Sequence, residues 1–304
     1  MVLNSLFPVL ALLLTGRILK HFNLTNEVFL KTSDRLIYYI FFPTLLFWKI
    51  GGAAAHDIAA DWGFYTAALC AVLTIYLLSS LYVRLFHVSD YQAGAFSQSC
   101  YRFNTYIGVA IILTVLGEEG VRQFGVLIGL IIPIINALAV STLTWFSGKH
   151  FGFRERSRLT ARALVSNPLI LACLSGITYA RFMNGFPTFI NNAPRLATLI
   201  TLPLALLSIG GVLTFANLKY HLRLALIASI FKLLLLPVSG YFFLKLFGVS
   251  GIAFKVGIIF FTLPTSTALY VLSSQLNSDT ELASASIALS TFLSFFSLSV
   301  ALLL

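Results

Sequence analysis

Arg102, Asn104 and Lys232 lie where an apolar chain has least reason to keep polar side chains. The first two stand in Tyr101-Arg102-Phe103-Asn104-Thr105-Tyr106, inside an apolar run over 91–115, and Lys232 lies well inside another, in Phe231-Lys232-Leu233-Leu234-Leu235-Leu236-Pro237. An arginine at mid-bilayer costs roughly 2.5–3.5 kcal/mol on insertion scales, so such a residue faces protein or water and marks function. Its planar fork of donors suits a carboxylate. Asn104 donates and accepts, and Thr105 adds a hydroxyl. A second interruption, Thr262-Leu263-Pro264-Thr265-Ser266-Thr267, falls in the run 251–275. Pro264 has no N–H and clashes with the preceding turn, which frees carbonyls near Phe260 and Phe261. Helices broken at both places start again near Thr105 and Thr265, and each positive end favours an anion by roughly 0.3–2 kcal/mol. The chemistry expected here is the holding of a small anion. Lys232 is expected to stabilise charge between the broken helices, in the place of a bound cation.

The elements that position these residues follow from composition. The chain has 304 residues, 59% hydrophobic and 10% charged, against about 25% charged in a soluble domain. Ten apolar runs approach the length of about 20 residues that a bilayer requires, over 2–19, 34–50, 63–86, 91–115, 121–146, 164–183, 195–215, 222–247, 251–275 and 282–304. The expected fold is an all-α membrane protein with ten transmembrane helices. Residues 2–19 read as the first span and not as a cleaved signal, because the positive residues Arg17 and Lys20 follow the run.

Of the 20 Lys and Arg, twelve fall on one set of alternating loops and six on the other, with Arg102 and Lys232 inside spans. The positive-inside bias then places both termini outside and the basic loop 147–163 in the cytoplasm. Orientation accounts for the formal charge of +10, so nucleic acid is not an expected partner. Anionic membrane lipid is compatible with that loop.

Enzymatic chemistry finds no support. The five histidines occupy loop positions, no metal-ligand spacing and no G-x-S-x-G turn is present, and neither a cofactor nor a metal is expected. Cys70, Cys100 and Cys173 lie in apolar runs without a C-x-x-C spacing. All ten acids are placed in loops or at helix ends, which argues against coupling to sodium or protons through a buried carboxylate. Glu119 and Asp279, 160 residues apart, read as solvated loop acids.

The same spacing of 160 separates Asn104 from Pro264 and relates Pro8 to Pro168, Gly16 to Gly176, Arg35 to Arg195, Pro43 to Pro203 and Gly51 to Gly211. Repeats over 1–146 and 164–304, each with five spans, must be inverted relative to one another. Inverted repeats with broken helices at the midplane form a secondary-transporter architecture, here with helices 4 and 9 broken and crossing.

Several motifs resemble the auxin efflux carrier family, which includes bacterial organic-acid permeases and plant PIN exporters. They are Arg35-Leu36 to Pro43-Thr44-Leu45-Leu46-Phe47, Asn104-Thr105 with Gly108, Leu116-Gly117-Glu118-Glu119-Gly120, Asn167-Pro168-Leu169, Leu204 to Gly211, and Leu263-Pro264. The resemblance implies a scaffold of helices 1, 2, 6 and 7, a mobile transport domain of helices 3–5 and 8–10, a homodimer, and an elevator-type mechanism. It places substrate at the crossover of helices 4 and 9, with Asn104, Thr105, Leu263 and Pro264 at the family's crossover positions. The full set of expected substrate contacts adds Arg102, Tyr106, Thr265, Ser266, Thr267, Pro43, Thr44 and Pro203. This chain carries Phe103 where the plant proteins have proline, and lacks their long hydrophilic loop. A smaller acid than auxin is therefore expected, a mono- or dicarboxylate crossing a bacterial cytoplasmic membrane. A sodium- or proton-coupled antiporter of related fold and an anion channel are the alternatives.

Overall fold

Hydrocarbon offers no water to exposed N–H and C=O groups, so a chain this apolar satisfies its backbone within helices. The computed structural model describes residues 2–52, 61–146, 153–183, 186–214 and 218–303, and among them there is no strand. In chain order the helices are α1 (Val2–His21), α2 (Glu27–Leu36), α3 (Phe42–Gly51), α4 (Trp62–Leu85), α5 (Asp90–Tyr101), α6 (Thr105–Phe146), α7 (Phe153–Val165), α8 (Pro168–Phe182), α9 (Thr188–Val212), α10 (Leu218–Ile230), α11 (Leu236–Leu246), α12 (Gly251–Thr262), α13 (Ala268–Gln275) and α14 (Thr280–Ala301). Among the described residues, six helical stretches are long and apolar enough to cross a membrane: Val2–His21, Trp62–Leu85, Asp90–Phe146, Asn191–Val212, Leu218–Leu246 and Thr280–Ala301. Exposed side chains such as Leu3, Phe7, Leu77, Leu199, Phe242 and Phe292 give these helices an apolar outer surface. The chain is an all-α, multi-pass membrane protein.

Prolines shape two helical stretches without ending them. The π-helical turns Ile37–Phe41 and Phe231–Leu235 each lead into a helix whose second residue is proline, Pro43 in α3 and Pro237 in α11. The ring collides with the carbonyl four residues back, and a widened turn relieves that collision while the helix continues. Gly117 interrupts α6 with φ 65 and ψ −155, a conformation essentially open to glycine alone. The expected runs 91–115 and 121–146 are thus separated by a single residue and not by a loop.

The expected basic loop over 147–163 is only partly a loop. Residues 147–152 lie outside the described residues, and the remainder forms α7. Arg154, Arg158 and Arg162 recur at intervals of four, which aligns them on one face of that helix. Glu155 near its start and Arg162 near its end both complement the helix dipole.

The chain packs as two units. The first comprises Met1–Asp61, Tyr106–Ile132 and Val165–Val212. Here α1 packs on α9, α2 on α9, and α3 on both α8 and α9. The contact of α1 with α9 is backbone to backbone: a Cβ at Gly16 would lie 2.0 Å from the Leu207 carbonyl oxygen, and one at Gly210 would lie 1.9 Å from that of Leu13. Small residues at a helix crossing permit this approach. Polar pairs add to the unit. The Trp48 indole donates to Asn191 Oδ1 at 2.5 Å, Lys49 pairs with Glu118, and Glu119 takes Arg122 and Gln123.

The second unit comprises Trp62–Thr105, Pro133–Leu164 and Leu213–Leu304. Within it α4 packs on α5 and α11, α10 on α5 and α14, and α14 on α5, α12 and α13. Phe64, Phe96, Phe260, Phe261, Leu236 and Leu282 are buried there. The packed face of α14 is built largely of alanine and serine, which lets its neighbours come close.

Candidate functional site

Both α5 and α12 stop in the second unit, and the chain takes the same turn after each. Arg102 caps α5 with φ −67 and ψ 148, and Leu263 caps α12 with φ −63 and ψ 146. Leu263 is extended because the proline that follows it disfavours the helical region. Arg102 precedes Phe103, so its extended backbone needs other support. Its Nη1 donates to Gln98 Oε1 at 3.0 Å, and its Nη2 to Asn136 Oδ1 at 3.0 Å. The Phe103 ring meets Phe260 edge-on at 4.7 Å between centroids, and the Asn104 N–H donates to the Pro264 carbonyl at 2.8 Å. The two breaks therefore meet and are bonded to each other. Arg102 is only 7% exposed, so its head is held by two carboxamides inside the protein.

Buried backbone groups need partners, and those freed by the breaks can be followed individually. In a continuous helix the Thr265 N–H would reach the Phe261 carbonyl; it donates instead to Ser290 Oγ at 3.1 Å. The Phe261 carbonyl accepts from Lys232 Nζ at 3.2 Å. The Thr262 carbonyl, which Ser266 would have taken, accepts from Ser297 Oγ at 3.2 Å. On the other break, the Ser99 carbonyl accepts from Thr265 Oγ1 at 2.9 Å. Of the two carbonyls expected to be freed, Phe261 is taken by Lys232, while Phe260 accepts from the Leu263 N–H at 3.4 Å.

Thr265 is the fastener between the breaks. Thr265→Val keeps the shape and removes the hydroxyl, leaving the buried Ser99 carbonyl without that donor at a cost of about 1–3 kcal/mol. A lower thermal midpoint is expected, with Thr265→Ser close to the original protein.

Arg102, Asn104, Thr105, Leu263, Pro264 and Thr265 come together here and are all buried. Ser266 and Thr267 are half-buried and lead into α13, where Ser266 Oγ accepts from the Ala268 N–H at 3.3 Å. Lys232 is fully buried in its π-helical turn. The other expected contacts belong to the first unit. Tyr106 packs edge-on against Phe42 at 4.6 Å, Thr44 donates to the Ile40 carbonyl at 2.7 Å, Pro43 follows a π-helical turn, and Pro203 is exposed on α9.

Sequence reasoning missed Gln98, Asn136, Ser290 and Ser297. Gln98 lies four residues before Arg102, one helical turn away. Asn136 is an isolated amide in an apolar run, and α14 carries serines at 286, 290, 294 and 297, a helical face. Asp279 is a correction: it is no solvated loop acid. It is 4% exposed and caps α14, with Oδ1 accepting from the N–H groups of Glu281 and Leu282 at 3.0 and 2.9 Å. Its Oδ2 accepts from Gln92 Nε2 at 3.3 Å and lies 3.8 Å from His221 Nδ1.

Broken helices that meet at their breaks are a feature of secondary transporters. Residues 152–302 match the model of a family described as membrane transport protein. Over 289 residues, 93% of this chain and 92% of the relative, the chain is 25% identical to an uncharacterized transporter of Methanocaldococcus jannaschii. Over 300 residues, 97% and 95% of the two chains, it is 24% identical to an uncharacterized transporter of Methanothermobacter thermautotrophicus. These matches bear out the resemblance read from the motifs: the chain is similar to membrane transport proteins of the auxin efflux carrier family.

Proposed function

We propose that this transporter carries a small organic anion, a mono- or dicarboxylate, held at the crossing of the α5–α6 and α12–α13 breaks. The observation that carries the reading is the Asn104-to-Pro264 bond with the Arg102 guanidinium buried beside it. The N-terminal end of α6 starts at Thr105 and that of α13 at Ala268. Such ends carry partial positive charge, which favours a carboxylate. Arg102 adds a full positive charge, held in place by Gln98 and Asn136.

In this reading the chain spans the membrane ten times as two inverted repeats and works by an elevator-type movement as a homodimer, in a bacterial cytoplasmic membrane with both termini outside. Helix pairing supports the repeat: α1 packs on α9 and α8 on α3, and these pairs are related by the spacing of 160. The division into units supports the movement, since each unit draws on both halves of the chain. An elevator needs one body to carry the solute and another to stay in place.

The test is flux in liposomes. Labelled malate or malonate is expected to enter with saturable kinetics that survive sodium removal, and Asn104→Ala is expected to slow entry roughly tenfold, the equivalent of one lost interaction of about 1.4 kcal/mol. Conductance that does not saturate would favour a channel, and flux that stops without sodium would favour an antiporter-like coupling.

A further inference from the structure

The two helix ends that stop at the crossing are C-terminal ends, and a basic residue belongs to each. Arg102 caps α5, and Lys232 Nζ lies 3.2 Å from the carbonyl of Phe261 in the last turn of α12. Lys232 is 0% exposed, and among the described residues no carboxylate pairs with it. The four acids of this unit are Asp90, Glu155, Asp279 and Glu281, all at the N-terminal caps or first turns of helices.

The C-terminal end of a helix carries roughly half a negative elementary charge. In carriers built from broken helices, unwound carbonyls at such ends are where sodium or a proton is coordinated. The end of α12 offers that kind of ligand, because the Thr265 N–H has turned away to Ser290 and left the Phe261 carbonyl to be satisfied. An ammonium is a compact monovalent cation with three donors and no acceptor. A buried charge serving only as a structural peg is commonly matched by apolar packing of the same volume, so its position at the helix end is what requires explanation.

We propose that the Lys232 ammonium is the built-in cation of this crossing: it occupies the place at the end of α12 that an alkali cation would take. The crossing then keeps its shape and its positive charge without recruiting sodium or potassium from solution. This deepens the proposed function by specifying its coupling, and it rests on that reading for the benefit to a bound anion. Lys232 acts as a positioning residue, through the Phe261 carbonyl.

The experiment uses the purified full-length protein, radioactive sodium in a scintillation proximity format, and thermal unfolding in sodium, potassium, methylammonium and N-methylglucamine salts. The original protein is expected to show no saturable sodium binding and the same midpoint in every salt. Lys232→Ala empties the place, so its midpoint should fall in N-methylglucamine and recover by several degrees in sodium or methylammonium, since whatever binds only the folded state stabilises it. Lys232→Met fills the space without charge and should fall in every salt with no recovery. Saturable sodium binding by the original protein, or a Lys232→Ala midpoint indifferent to cations, overturns the proposal. If Lys232→Ala does not fold, Lys232→Gln decides: a neutral donor that restores the original behaviour shows that charge is not required, whereas a reduced midpoint raised by methylammonium supports the proposal. None of these readouts uses a carboxylate, so failure of the built-in cation is distinguishable from failure of the anion reading.

Discussion

Arg102→Met is expected to give a protein that still folds and moves carboxylate about 100-fold more slowly, since removing one partner of a buried hydrogen-bonded charge costs about 2–5 kcal/mol and each 1.4 kcal/mol is tenfold. The methionine keeps most of the volume but has no donors. Gln98 Oε1 and Asn136 Oδ1 each lose a bond of 3.0 Å, and the proposed site loses its positive charge. Arg102→Lys should recover part of the flux, because a point charge replaces the charge and not the fork. Asn136→Ala separates positioning from contact. It frees one side of the guanidinium, so it should weaken apparent affinity while leaving the maximal rate nearer the original. Saturation curves for labelled malate in liposomes, normalised to folded protein by size-exclusion chromatography, read all three. Original flux in Arg102→Met would remove the arginine from the binding machinery.

Gly210→Leu is expected to prevent assembly of the first unit altogether. A Cβ there meets the Leu13 carbonyl oxygen at 1.9 Å, and a backbone atom in the middle of α1 cannot rotate out of the way. Overpacking ordinarily costs about 1–3 kcal/mol and more where nothing can yield. Even Gly210→Ala should lower the midpoint, and Gly16→Ala should match it, because a Cβ on Gly16 would meet the Leu207 carbonyl oxygen at 2.0 Å from the other side. Fluorescence-detected size exclusion after extraction measures the outcome: a monodisperse peak for Gly210→Leu at the original height would show that α1 and α9 can separate without loss.

The helical runs and both breaks were legible because hydrophobic length and proline chemistry are local properties. Leu263-Pro264 announces an extended residue followed by an unpaired turn, and the structure has both. Arg102 announced that something unusual happens at its position. Its partners were not legible, because they depend on which helix packs beside which: Asn136 lies 34 residues away, and Ser290 lies 25 residues beyond Thr265. Asp279 shows the same limit. A sequence marks it as a helix cap, but whether a cap is wet or buried is decided by Gln92 and His221. The basic segment before α8 reads as a loop by charge alone, and only the four-residue recurrence of Arg154, Arg158 and Arg162 reveals α7.

The interlocking of Thr265 has a mechanical consequence. Its hydroxyl is tied to α5, its amide to α14, and the neighbouring Pro264 carbonyl to Asn104. Neither α5 nor α14 can slide past the α12–α13 break without severing these ties. In the proposed elevator movement these elements travel as one load, and a solute seated at the crossing rides along without being handed from one segment to the next.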